Sequence, residues 1–91
     1  MPEDAELHAI RPMAHGLAAL QVCGSSMEPV LYDGDVVHYR LSQKVRDVSH
    51  LLDGHEYVVA LADGRLLFRR APVVDADIEW VVPVHLIERA R

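Results

Sequence analysis

The chain has a single cysteine, Cys23, among 91 residues, so no intrachain disulfide can form. Its six histidines stand at 8, 15, 38, 50, 55 and 85, and neither they nor Cys23 fall at zinc-ligand spacing, so no metal and no cofactor is expected. Positive charge is scarce as well. Nine Lys and Arg against 14 Asp and Glu leave a formal net charge of -5. With no general basic surface to attract a phosphate backbone, direct nucleic-acid binding by this chain alone is not expected. No apolar run approaches the roughly 20 residues that a membrane-spanning helix needs. The start, Pro2-Glu3-Asp4-Ala5-Glu6, is acidic where a secretory leader would be basic. These absences point to a cytoplasmic protein with no membrane partner and no structural disulfide.

What is present is the composition of a folded chain, 51% hydrophobic and 25% charged. Ninety-one residues make one small domain near the size where burial only narrowly exceeds chain entropy, which favours a homodimer or another protein partner. Residues 1–16 mix charge, Pro2, Pro12 and Gly16, and read as an N-terminal arm with a helical turn around residues 5–10. Residues 17–91 read as a β domain. The apolar run 17–23 is a strand that Gly24 breaks before a tight Ser-Ser-Met-Glu-Pro turn. Tyr32-Asp33-Gly34-Asp35 is turn chemistry, and 36–41 is rich in β-formers. Residues 42–52 form a polar connection.

Segments 56–62 and 65–70 flank Asp63-Gly64, which predicts a two-residue type I′ hairpin. Pairing outward from that turn sets Ala62 opposite Arg65, Ala60 opposite Leu67 and Val58 opposite Arg69. Both hairpin faces are largely apolar, so neither simply faces water. The expected fold class is mainly β with little helix, a small folded-over antiparallel sheet or partial barrel. After Pro72, the apolar stretches 78–82 and 84–87 are interrupted by Pro83, which predicts an edge or terminal strand.

The stretch Gly24-Ser25-Ser26-Met27-Glu28-Pro29 with Gly34-Asp35, followed by residues 57–70 ending in Arg69-Arg70, carries a resemblance. It resembles the Gly-x-Ser-Met-x-Pro…Gly-Asp signature and the strand-turn-strand of the LexA-like repressor peptidases and signal peptidases. The likeness spans roughly residues 17–71. It implies the fold of the LexA C-terminal domain, with Ser26 as nucleophile, Met27 beside the oxyanion turn, and a general-base Lys where this chain has Arg69.

A lysine in an apolar pocket can lose its proton near neutral pH, whereas a guanidinium stays charged and accepts none. The one lysine, Lys44, lies in the polar connection. His38, on the strand after the turn, is the alternative base. The family's self-cleavage bonds are Ala-Gly or Cys-Gly; no Ala-Gly occurs, and Cys23-Gly24 lies inside the nucleophile strand. The resemblance therefore implies a catalytically impaired peptidase-fold domain that serves as a dimerisation or regulatory module of a transcriptional or phage-repressor-like system. The alternative is an active serine peptidase using Ser26 with His38 or a partner-supplied base. Beside both stand plainer roles, with Ser26 capping its turn, Met27 filling the core and Arg69 in an ion pair.

Overall fold

The computed structural model describes residues 4–9, 15–25, 27–73 and 77–90. Six strands run β1 Asp4–Ala9, β2 Leu17–Cys23, β3 Val36–Arg40, β4 Glu56–Leu61, β5 Leu66–Arg70 and β6 Ile78–Glu88, with one 3-10 turn at Leu41–Gln43. All pairings are antiparallel, in the order β1-β2-β3-β6-β4-β5, and β1 pairs with β5 to close a barrel. The expected mainly β, curled-over sheet is what forms.

Alternation along the strands builds the core. Leu7 of β1, Ala18, Leu20 and Val22 of β2, Val37 and Tyr39 of β3, Val58 of β4, Phe68 of β5 and Val82 of β6 point inward. Met27 and Leu31, from the turn after β2, join the same core. A second apolar cluster lies on the outer face of β4, β5 and β6, where Val59, Leu61, Leu67 and Val81 pack with Val73 under Val48 and Leu51. Two-sided burial explains why neither hairpin face is polar.

Three expectations are corrected. Residues 4–9 form a barrel strand, not a helical turn: Leu7 sits opposite Val22 on one side and Leu66 on the other. The alternation Asp-Ala-Glu-Leu-His-Ala suits a half-buried strand, and Leu7 is its buried anchor.

The hairpin is not type I′. The Gly64 N–H donates to the Leu61 carbonyl at 3.0 Å and the Leu61 N–H to the Arg65 carbonyl at 2.9 Å, which makes a three-residue loop. Gly64 alone takes positive φ there, +94°, so a type I turn is followed by a glycine bulge. Asp63 fixes the loop by accepting from the Arg65 N–H at 3.0 Å and from Arg65 Nε at 2.8 Å. The register becomes Ala60 with Leu66, Val59 with Leu67, Val58 with Phe68 and Tyr57 with Arg69. A one-residue slip exchanges faces. Phe68 enters the barrel beside Val58, and Arg69 moves to the outer face opposite Tyr57.

β6 is the last strand in chain order, but it is not an edge and is not broken in two. It is one 11-residue strand that lies between β4 and β3. It pairs with β4 as far as Pro83 opposite Tyr57, and with β3 from Val84 onward. Pro83 has no N–H to offer a ladder, and its place is the handover between two partners, where one donor fewer is tolerated.

Candidate active site

The end of β2 is held by the segment that returns beside it. Val22 donates its N–H to the Asp35 carbonyl at 2.8 Å, and Gly34 donates to the Val22 carbonyl at 2.9 Å. Gly24, at φ +92°, turns the chain out of β2. Its N–H donates to Asp33 Oδ1 at 2.7 Å, so this amide already has an acceptor. Between these anchors the Glu28 N–H reaches the Ser25 carbonyl at 3.2 Å, and the Val30 and Leu31 N–H groups reach the Met27 carbonyl at 2.7 and 3.0 Å. Met27 and Leu31 turn inward and plug this end of the barrel. Ser26, the expected nucleophile, lies outside the described residues, between exposed Ser25 and buried Met27. Met27 takes the core-filling role.

Asp35 is the deepest polar group here, 1% exposed. Its Oδ2 accepts from the Tyr32 N–H at 2.9 Å and from Arg89 Nη1 at 3.0 Å, and its Oδ1 accepts from the Ala90 N–H at 3.0 Å. Burial alone would raise this carboxyl. The Ala90 and Tyr32 N–H groups and the Arg89 guanidinium outweigh burial and hold it below the ordinary carboxylate range. Such a group contributes stability that is complete above about pH 4, its unfolded value, and is lost as pH falls through the lower folded value. Asp47, lowered by the Ser49 N–H and hydroxyl, and Asp63, lowered by the Arg65 N–H and side chain, act in the same direction from the surface. Stability is expected to fall from about pH 4 downward. The Asp35→Asn protein should be less stable at neutral pH and lose less on acidification. Urea unfolding at several pH values checks this, and parallel acid slopes would remove Asp35 as the cause.

Arg69 is half-buried on the outer face, with Nε sealed from solvent. In the register it stands opposite Asp4 of β1, whose neighbour Glu6 is opposite both Leu67 and Cys23. Two strand spacings, about 10 Å, thus separate β5 from β2, and Arg69 lies two residues along from the level of Cys23, where β2 runs into its turn. The fold brings Arg69 to the barrel end that carries the Ser-Met turn.

His38 is not brought there. It is level with Ala19, four residues and roughly 13 Å back along β2 from Cys23. Its Nε2 lies 3.1 Å from Glu88 Oε1 on the outer surface. Lys44 is further away, with Nζ 4.1 Å from the centroid of Trp80 and 5.9 Å from that of Tyr39, toward the other end of the barrel.

Cys23 lies beside the turn as a partly buried free thiol. Burial and the nearby charges of Asp33 and Glu6 push its thiol up, and the protonated form reacts poorly. A depression of about 320 Å³ opens where β4 and β6 part, lined by Gly54, His55, Glu56, Tyr57, Pro83 and Val84. Neither Met27 nor Arg69 lines it. Among the described residues no group of His, Cys, Asp and Glu could hold a metal, and no helix is long and apolar enough to cross a membrane.

Sequence reasoning missed Arg89, Ala90, Asp33 and Glu88. The Asp33 contact spans nine residues, beyond the reach of a local Asx turn, and has no sequence signal of its own. Arg89 and Ala90 are more than fifty residues from Asp35 and have none. Comparisons with protein-family models, with curated proteins and with solved structures gave no match.

Proposed function

We propose that the chain is a LexA-like peptidase-fold domain in which catalysis is impaired, acting in the cytoplasm as a dimerisation or regulatory module of a repressor-type system. The observation that carries the reading is the position of Arg69, at the same barrel end as the Ser-Met turn and in the motif place of the family's lysine. A guanidinium there can hold an anion or a hydroxyl oxygen, but it cannot take the proton from a serine. His38, which is engaged with Glu88 a long step away, offers no nearby replacement. The other parts of the signature have structural work. Met27 fills the core, Gly24 and Gly34 make the turn, and Asp35 ties it down.

The test is labelling with a serine-directed phosphonate near neutral pH, read by mass spectrometry. The wild-type chain should remain unlabelled, and Arg69→Lys should acquire label at Ser26 that disappears in Arg69→Lys/Ser26→Ala. Sedimentation of the wild-type chain should give a dimer. Labelling of wild-type Ser26 would instead establish an active peptidase with a base from elsewhere. A monomer at all accessible concentrations would remove the dimerisation role.

A further inference from the structure

We propose that Arg89 is a positioning residue for the turn that carries Ser26. A single nitrogen, Nη1, donates to the Val30 carbonyl at 2.7 Å and to Asp35 Oδ2 at 3.0 Å. Those acceptors lie at the far part of the turn and at its return to β3, so one side chain spans the segment. The adjacent Ala90 N–H fills Oδ1 of the same carboxylate at 3.0 Å. The two residues that follow β6 therefore supply two of the three donors to Asp35 described above, and the turn itself supplies only the Tyr32 N–H.

Asp35 is 1% exposed, whereas the Arg89 side chain is 49% exposed. This asymmetry sets the consequence of losing the contact. Arg89 released into water is solvated at once, but the carboxylate it leaves is buried. A buried charge deprived of its partner is costly, and the turn relieves that cost by moving Asp35 toward solvent. Movement of Asp35 also disturbs its carbonyl, which accepts from Val22, and the neighbouring Gly34 amide, which donates to Val22. The effect thus runs from Arg89 through Asp35 to the end of β2, next to the Ser26 segment. The role assigned to Ser26 rests on the proposed function; the coupling of Arg89 to the turn does not.

Hydrogen exchange on the full chain separates positioning from general stabilisation. In Arg89→Ala the amides of Gly24, Leu31, Tyr32 and Gly34 should exchange roughly 10- to 100-fold faster, the range expected for a lost charged hydrogen bond. Amides of Val58, Val59, Val81 and Val82 should change much less. Arg89→Lys, whose single ammonium can serve both acceptors, should restore most of the turn protection. A second arm uses the Arg69→Lys background, where adding Arg89→Ala should slow phosphonate labelling of Ser26 and adding Arg89→Lys should recover it. Equal acceleration of turn and barrel amides, or no acceleration at all, overturns the proposal. If Arg69→Lys never labels, the peptidase reading fails while the exchange arm still decides the coupling.

Discussion

Phe68→Ala is expected to remove about 3–5 kcal/mol of stability, the usual cost of emptying a fully buried aromatic site. Phe68 is 0% exposed and packs inside the barrel across from Val58. A chain of this length is stable by roughly 5–13 kcal/mol, so the loss is a large part of the total. The adjacent change Arg69→Met, which keeps a long apolar stem on the outer face, should cost below about 1.5 kcal/mol. The contrast between neighbours measures the hairpin register directly. In the type I′ register Arg69 would be the residue across from Val58, and Phe68 would be on the other face. Urea unfolding followed by the fluorescence of Trp80, the one tryptophan, reads both variants. Comparable losses for the two would contradict the three-residue loop.

Leu7→Asp should abolish cooperative folding. Leu7 is 3% exposed and lies between Val22 and Leu66, where β1 joins the two sides of the barrel. A carboxylate there has no partner, and either it is protonated at a cost or the strand leaves. If the strand leaves, β2 and β5 each expose an unpaired edge, and edges of that kind recruit other chains. The expected observation is a broad unfolding profile with aggregation. Glu6→Ala and His8→Ala on the exposed face of the same strand should remain within about 0.5 kcal/mol of wild type. A soluble, cooperatively folding Leu7→Asp chain would show that β1 is dispensable to the barrel.

Both variants fall where the fold departs from the reading of the sequence, while other elements were legible. The apolar run ending at Cys23, the β-forming residues after Asp35 and the hairpin around Asp63-Gly64 are local patterns, and all three are strands or turns in the fold. The hairpin register was not legible because Asp-Gly suits a two-residue turn and also the last two positions of a type I turn with a bulge. Only the φ of Asp63 separates them, and that is set by pairing along both strands. Residues 4–9 alternate correctly, yet two of the three apolar positions are alanines, which bury too little to stand out from an irregular segment. Pro83 signalled an interruption, and the interruption is in the choice of partner, not in the strand.

The candidate site divides in the same way. The motif residues were found from order and spacing, and register brings Arg69 to the turn's end of the barrel. The face of His38 could not be read from alternation, because the β3 pattern gives no independent origin; its neighbours Val37 and Tyr39 face the core, which places it outside. Asp35 is legible in the sequence as a turn and motif residue, but its donors are not. Beside the local Tyr32 N–H, its donors are Arg89 and Ala90, more than fifty residues away, a contact that only the closed barrel creates.

The path of β6 also governs the order in which the chain can fold. β3 and β4 are not paired with each other in the barrel; β6 alone joins them. Without residues 78–88 the remaining pairings can make no more than an open sheet with β3 and β4 as its free edges, and the core cannot be fully enclosed. Closure then requires a strand distant in sequence from β3, a non-local pairing of the kind that slows folding. During synthesis the barrel therefore closes only after residues 78–88 have emerged, and the contacts of Arg89 with the turn form after β6 is in place.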